Sequence, residues 1–203
     1  MRIVTLNVNG IRSAASKGLF RWLRRTEPDI VCLQEVKCDE VDIPEKLRFP
    51  DGLHGLFHCA QRRGYSGAAM YAAKEPRAMR LGFGSAEFDT EGRYVEAEFK
   101  DFTAISVYFP SGSSGPERQA AKYRFLAEFA PHLENSGFLP EERAWLSGVF
   151  EAGWTDVFRR LDPRPEQYTW WSNRGQAWAK NVGWRLDYHL ATPAIAAKAK
   201  REQ

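Results

Sequence analysis

The sequence has few cysteines and no long apolar run. It contains only Cys32, Cys38 and Cys59, an odd set without Cys-x-x-Cys spacing, which suits a reducing compartment and carries no zinc signature. No run approaches the ~18 apolar residues of a membrane-spanning helix, and the N-terminus shows no basic segment followed by an apolar one. We therefore expect a cytoplasmic protein.

The sequence also lacks a strong excess of either charge and lacks the glycine motifs of nucleotide-binding folds. Lys and Arg outnumber Asp and Glu by 29 to 26, and a formal net charge of +3 is too small to indicate a partner. Neither Gly-x-Gly-x-x-Gly nor Gly-x-x-x-x-Gly-Lys-Ser/Thr occurs. With 43% apolar and 27% charged residues over 203 positions, the composition is typical of one globular domain.

Hydrophobic periodicity predicts more strands than helices. Strands are predicted at residues 1–8, 29–34, 93–99, 102–109, 168–171 and 184–191. Helices are predicted at residues 18–25 and 117–133, and a second helix start at 136–142 leads into an apolar face ending at Phe150. Only Lys100 and Asp101 separate the third and fourth strands, which predicts a hairpin. This pattern favours an α/β sandwich over a doubly wound nucleotide-binding fold.

Polar residues follow several predicted strands where an apolar residue would continue the pattern. They are Asn7, Asn9, Glu35 and Tyr108, and Asp187 lies on a late strand. Each has an ordinary alternative, since an Asn after a strand is commonly a turn residue, a lone Glu is solvated and a lone Tyr packs. Together they would form an oxygen-rich cluster suited to a hard cation such as Mg²⁺.

The last part of the chain combines aromatic rings with basic side chains. Six aromatic residues lie between 168 and 188, and residues 170–203 contain six Lys or Arg against two acids. Cations neutralise a phosphate backbone while flat rings stack on bases or line a pocket, so this pattern indicates nucleic-acid binding. The alternatives are that the tryptophans belong to the core and that the basic tail is simply solvated.

Separated motifs in a fixed order resemble the exodeoxyribonuclease III family of abasic-site endonucleases, within the DNase-like endonuclease/exonuclease/phosphatase superfamily. The motifs are IVTLNVNGIR at 3–12, PDIVCLQEVK at 28–37, GYSG at 64–67, EGR at 91–93, VYFPSG at 107–112, YTWW at 168–171 and KNVGWRLDY at 180–188. The resemblance implies a four-layer α/β sandwich, with two packed, mostly antiparallel sheets flanked by helices. It also implies a Mg²⁺-dependent (or Mn²⁺-dependent) monomeric enzyme that cuts double-stranded DNA 5′ to abasic sites and trims 3′ ends.

The resemblance assigns roles to individual residues. Glu35 and Asn7 match the family's metal-binding residues, Tyr108 matches the tyrosine that helps hold the scissile phosphate, and Asp187 matches the aspartate that orients a catalytic histidine. The positions that match DNA-binding residues are Asn9, Arg12, Tyr65, Arg93, Trp170, Arg174, Asn181 and Trp184, of which Trp170 and Trp184 correspond to the pocket for a flipped-out abasic sugar.

Two motifs of the family are missing from this sequence. One is a strand ending in Gly-Asp-x-Asn, which would fall near residues 133–136, and the other is a C-terminal Ser-Asp-His. We therefore expect a single domain over 1–203 that is internally shortened there, truncated at its C-terminus, and without one central strand and the last strand. The alternatives are a DNA-binding form that has lost hydrolysis, and a phosphatase of phosphorylated lipids or inositols, which the aromatic and basic segment at 168–185 disfavours.

Overall fold

The computed structural model describes residues 1–111, 115–133, 147–171, 176–185 and 187–201. The chain divides into two compact units, Met1–Glu128 and Phe129–Gln203. The predicted shortening at 133–136 falls mostly outside the described residues, so that prediction stays open, together with the single domain. In the described parts of the chain, no helix is both long and apolar enough to cross a bilayer.

Four strands form the first sheet of the N-terminal unit. They are β1 (Ile3–Asn7), β2 (Ile30–Gln34), β3 (His54–His58) and β4 (Ala68–Ala72), in the order β1-β2-β4-β3. β1 and β2 are parallel, whereas β4 is antiparallel to both of its neighbours. Every residue of β2 and β4 is buried, as expected for central strands covered on both faces.

The second sheet of this unit is antiparallel and three-stranded. It contains β5 (Ala78–Leu81), β6 (Tyr94–Glu98) and β7 (Thr103–Val107), in that order. The structure confirms the predicted hairpin, and the Phe99 N–H donates to the Phe102 carbonyl oxygen at 2.9 Å across its turn. Val95 and Ala97 of β6 pack with Ile30 and Met70 of the first sheet, so the two sheets share a core.

Helices cover the outer faces of both sheets. They are α1 (Ile11–Ser16), α2 (Leu19–Thr26), α3 (Glu45–Arg48) and α4 (Pro116–Leu133), and short 3₁₀ turns occur at Glu40–Asp42, Pro50–Gly52 and Asp89–Glu91. Leu19 and Leu23 of α2 pack on Val31 and Leu33 of β2. On the other side, Phe125 of α4 lies against Phe83, which contacts Tyr94 of β6. The predicted order of helix, sheet, sheet and helix is therefore present within residues 1–128.

The second unit contains short elements. Residues 147–151 are helical and are followed by β8 (Thr155–Asp156), α5 (Val157–Leu161), β9 (Trp170–Trp171), β10 (Gly183–Trp184), β11 (Leu190–Ala191) and α6 (Pro193–Ala196). β10 pairs with β9 and β11 pairs with β8, both antiparallel. The prediction of one strand over 184–191 was wrong, because the two ends of that segment have different partner strands. The predicted helix start at 136–142 lies outside the described residues.

Candidate active site

The parallel pairing of β1 and β2 brings two polar loops to one edge of the first sheet. The last residues of these strands, Asn7 and Gln34, lie opposite each other. In the loops that follow, Asn9, Glu35 and Lys37 have positive φ angles of 43°, 54° and 46°. Such backbone strain costs about 1–3 kcal/mol per non-glycine residue and concentrates at functional sites. The surrounding contacts must therefore hold these loops in place.

Glu35 is the centre of the hydrogen bonds at this edge. Its Oε1 accepts from Asn7 Nδ2 at 2.7 Å and from the Tyr108 hydroxyl at 2.9 Å, and its Oε2 lies 2.8 Å from Lys37 Nζ. Burial alone raises the pKa of Glu35, but the three hydrogen bonds and the Lys37 charge outweigh it and hold the pKa below its ordinary value. Glu35 is therefore ionised at neutral pH.

Lys37 connects the two loops, and the sequence predicted no role for it. Its Nζ donates to Asn9 Oδ1 at 2.6 Å while it pairs with Glu35, and the Asn9 backbone N–H donates to Asn7 Oδ1 at 3.1 Å. The only sequence signal for Lys37 is its place two residues after Glu35 in the same motif. Asn7, Asn9, Glu35 and Lys37 therefore form one hydrogen-bonded group.

Tyr108 reaches Glu35 from the second sheet, just after β7. Burial raises the pKa of Tyr108, and the adjacent Glu35 carboxylate raises it further, so the hydroxyl stays protonated and acts as a donor. The Arg93 guanidinium lies 4.9 Å from the centre of the Tyr108 ring and donates from Nη1 to the Tyr108 carbonyl oxygen at 3.0 Å. Arg93 is 2% exposed and is neutralised by Glu91, whose Oε2 lies 2.5 Å from Arg93 Nε.

Tyr65 is surrounded by three guanidinium groups. The guanidinium carbons (Cζ) of Arg62, Arg93 and Arg118 lie 5.3, 5.9 and 5.5 Å from the centre of the Tyr65 ring. Its hydroxyl accepts from Arg93 Nη2 at 3.1 Å and from Arg118 Nη1 at 2.6 Å, and donates to Glu91 Oε1 at 3.2 Å. Guanidinium groups on an aromatic face suit a phosphate backbone. Tyr65 and Arg93 were predicted from the sequence as DNA-binding residues, whereas Arg62, Arg118 and Glu91 had no predicted role.

The hydrogen-bonded group around Glu35 has the oxygen atoms that a divalent cation requires. Glu35 supplies two carboxylate oxygens, and Asn7 and Asn9 supply amide oxygens. Among the described residues, no three His, Cys, Asp or Glu side chains are grouped as a metal site. One carboxylate with amide oxygens fits a hard cation that takes its remaining ligands from water and substrate phosphate, as Mg²⁺ does. Lys37 would share the Glu35 carboxylate with such a cation.

Several predicted site residues lie in the second unit or outside the described residues. Trp170 on β9 is 46% exposed. Asn181 accepts from Trp171 Nε1 at 3.2 Å and donates to the Glu166 carbonyl oxygen at 3.1 Å, so it holds its own loop. Arg174 and the side chain of Trp184 are outside the described part.

Two further predicted residues, Asp187 and Arg12, lie in different units of the chain. The Asp187 backbone N–H donates to Thr169 Oγ1 at 3.0 Å in the second unit. The predicted convergence of Asp187 on the same cation as Glu35 therefore stays a prediction. Arg12 lies exposed on α1.

The comparisons with known proteins assign the chain to a family. The model of the endonuclease/exonuclease/phosphatase family matches residues 4–141, more than half of the chain. The chain belongs to this family. It is 34% identical to the DNA repair nuclease APEX1 of Danio rerio, covering 96% of this chain and 74% of that protein. It is 31% identical to an exodeoxyribonuclease of Bacillus subtilis, covering 96% and 89%.

Solved structures agree with this assignment. An AP endonuclease from Archaeoglobus fulgidus superposes with a TM-score of 0.84 at 27% identity, over 97% of this chain and 89% of that one. A Neisseria 3′ phosphatase bound to a product DNA hairpin gives 0.85 at 25% identity, over 99% and 90%. The resemblance to the exodeoxyribonuclease III family is thereby confirmed, as is the fold class that it implied. Nucleases of this family depend on divalent metals.

Removing the Tyr108 hydroxyl should raise the pKa of Glu35. We expect Tyr108→Phe to shift the carboxyl titration upward, because one of three hydrogen bonds to the ionised form is lost. In the unmodified protein, the lowered pKa of Glu35 stabilises the folded state at pH values above the pKa of an unfolded glutamate, about 4.3. This stabilisation is lost as the pH falls through the pKa of Glu35 in the folded state. A carboxyl-detected NMR titration measures the shift.

The matched control is Tyr65→Phe, since the Tyr65 hydroxyl bonds to Glu91 and two arginines. It should leave the Glu35 titration unchanged. Equal shifts in both variants, or a downward shift with Tyr108→Phe, would contradict the hydrogen-bonding role of Tyr108.

Proposed function

We propose that this chain is a metal-dependent DNA phosphodiesterase that cleaves the backbone of double-stranded DNA 5′ to abasic sites and trims 3′ ends. The observation that carries the proposal is the ionised Glu35, bonded to Asn7 and Tyr108 in a strained loop. The arginines around Tyr65 are connected to it through Arg93, which contacts both tyrosines. The relatives named as an exodeoxyribonuclease, an AP endonuclease and a DNA repair nuclease support the same activity.

Each residue of the site has a separate role in the proposed phosphodiester hydrolysis. Glu35 and Asn7 would hold the cation, for which we propose Mg²⁺, with Mn²⁺ as a second oxygen-preferring candidate. When bound, it supplies positive charge at the phosphoryl oxygens. The Tyr108 hydroxyl, kept protonated and hydrogen-bonded to Glu35 in the structure, would turn its hydrogen to the scissile phosphate once the cation occupies Glu35. Arg62 and Arg118 present cations to the flanking phosphates.

The second unit would supply the recognition of the abasic sugar. We propose that Trp170 and Trp184 line its pocket, that Arg174 and Asn181 lie along the DNA, and that Asn9 and Arg12 contribute contacts near the metal. The exposed indole of Trp170 supports this role, since nearly half of its surface is open to solvent. Asp187 would orient a general acid or base.

The missing internal motif predicts slow turnover rather than a different reaction. A general acid or base contributes about 10²–10⁴-fold to the rate, and the sequence contains no Gly-Asp-x-Asn. The alignment with the Danio rerio protein extends over 229 positions against 203 residues here, so relatives carry segments that this chain lacks. This supports an internally shortened nuclease. A binding-only form of the family is the second candidate.

The test is cleavage of an end-labelled duplex with one abasic site by the purified full chain. We expect a single nick 5′ to the site with Mg²⁺, none with EDTA, and recovery when Mg²⁺ is restored. A duplex with an intact base in the same sequence is the matched control. DNA binding without any nick at high enzyme concentration would select the binding-only form, and EDTA-resistant cleavage would overturn the metal dependence.

The cellular location and the oligomeric state of the chain are also proposals. We propose a cytoplasmic monomer. The three cysteines are free in the structure, which supports a reducing compartment.

A further inference from the structure

Two cysteines lie side by side in the N-terminal unit, outside the hydrogen-bonded group at Glu35. The Sγ atoms of Cys38 and Cys59 are 3.6 Å apart, although 21 positions separate them in the sequence. Cys38 is 4% exposed and lies three residues after Glu35, whereas Cys59 is partly exposed and follows the last residue of β3. The third cysteine, Cys32, is buried in the core between the sheets.

The surroundings of the pair make the two thiols unequal in acidity. The hydrogen bond from Cys59 lowers the pKa of Cys38, burial opposes this, and the Arg12 and Arg48 charges lower it further against the nearby Asp39. The same hydrogen bond and burial raise the pKa of Cys59. Cys38 is therefore the more acidic sulfur of the pair, and the thiolate form that attacks peroxide is more accessible to it than to Cys59.

A surface cavity gives a small molecule access to Cys59, the more exposed sulfur of the pair. The cavity has a volume of about 330 Å³ and is lined by Cys59 and by Asp39, Gln61 and Arg63. The Arg63 guanidinium is held at its rim by Asp39, at 2.5 Å from Nε to Oδ2. Neither Cys38 nor Cys32 lines this cavity, so peroxide entering it meets Cys59 first and must pass that sulfur to reach Cys38, 3.6 Å away.

We propose that Cys38 and Cys59 form an oxidation site, which hydrogen peroxide converts to a disulfide that tethers the segment carrying Glu35 and Lys37 to the end of β3. The Cys38 thiolate attacks one peroxide oxygen, the O–O bond breaks, and a sulfenic acid and hydroxide form. The Cys59 sulfur then attacks the Cys38 sulfur, the S–O bond breaks, and water leaves with the Cys59 proton. Both sulfurs are oxidised by one electron each, and the peroxide is reduced.

The geometry requires only a small closure. A disulfide has sulfurs about 2.05 Å apart, so the present separation must shrink by about 1.6 Å. The Cys38 side is anchored through the backbone, because the Val36 and Lys37 N–H groups donate to the Gly67 and Ser66 carbonyl oxygens. The closure therefore acts directly on the loop that holds Glu35.

The test treats the full chain with hydrogen peroxide and counts thiols, followed by non-reducing peptide mapping by mass spectrometry. We expect the free thiols to fall from three to one, a peptide linking Cys38 to Cys59, and complete reversal by dithiothreitol. Hydrogen exchange at the Val36 and Lys37 amides should slow in the oxidised form. Neither readout depends on nuclease activity, so the result is separate from that of the cleavage test.

Two serine variants complete the design. Cys32→Ser should still form the link, and Cys59→Ser should give an irreversibly oxidised Cys38 without it. The proposal is overturned if links involve Cys32 or a second molecule, if Cys38 is oxidised without linking in the unmodified protein, or if exchange at residues 36 and 37 is unchanged by a formed disulfide.

Discussion

Replacing Glu35 with glutamine should lower the rate of metal-dependent nicking at an abasic site by about 10³-fold, or about 4 kcal/mol of transition-state stabilisation. Glutamine keeps the shape of the side chain but removes the only carboxylate of the hydrogen-bonded group described above. It also removes the charge that Lys37 now balances at 2.8 Å. Single-turnover cleavage of the labelled abasic duplex, with Mg²⁺ varied, measures the loss.

The control for this substitution is Glu87→Gln. Glu87 is also ion-paired, with Oε1 2.6 Å from Arg124 Nη2, but it contacts α4 rather than the Glu35 group. We expect its cleavage rate to equal that of the unmodified chain. DNA affinity should survive in both variants, because the arginines around Tyr65 remain. If Glu35→Gln cleaves as fast as Glu87→Gln, Glu35 has no role in catalysis.

The part of the site built from strand ends was predictable from the sequence. Asn7 and Glu35 follow apolar runs, and parallel pairing of those runs places both residues at one sheet edge. Tyr108 was predicted by its motif after the hairpin, and the structure places its hydroxyl on Glu35 at 2.9 Å. Local patterns suffice here because strand register carries each side chain to the edge.

Residues that reach the site through long side chains were not predictable in the same way. Arg118 contacts Tyr65 across 53 positions of sequence, and its place at the start of α4 is typical of an ordinary solvated arginine. Lys37 has the same ambiguity until Glu35 and Asn9 are seen on either side of it. Such contacts depend on how sheets and helices pack, which periodicity does not encode.

Short elements were the least predictable part of the fold. The six-residue helix α1 begins after Gly10, whose φ of 104° is accessible to glycine but strained for other residues. Six residues are too few for a helical hydrophobic periodicity to be recognised in the sequence. For the segment 184–191, by contrast, the sequence predicted one regular strand where the structure has two short ones with different partners. Its alternation is typical of one strand, but Arg185 turns to Asp156 with a 2.5 Å ion pair and interrupts it.

Replacing Phe125 with alanine should lower the free energy of unfolding by about 3–5 kcal/mol. Phe125 is fully buried on α4, with ring centres 5.3, 5.0 and 5.3 Å from those of Phe83, Phe88 and Phe109. Removing the ring leaves a cavity lined by Phe83 and Phe88, in the internally hydrogen-bonded connection between β5 and β6, and by Phe109 after β7. These side chains have little freedom to close it. Equilibrium urea unfolding followed by tryptophan fluorescence measures the change.

Tyr123→Ala is the matched control, since it removes a 37% exposed ring from the same helix. It should cost less than about 1 kcal/mol, as surface substitutions usually do. Phe109 directly follows Tyr108, so the cavity left by Phe125→Ala borders the segment whose Tyr108 hydroxyl contacts Glu35. Even so, cleavage per folded molecule should hold at low temperature, because the Tyr108 hydroxyl and the Arg93 contacts that place it are untouched. If Phe125→Ala is no less stable than Tyr123→Ala, α4 does not pack on the second sheet through this ring.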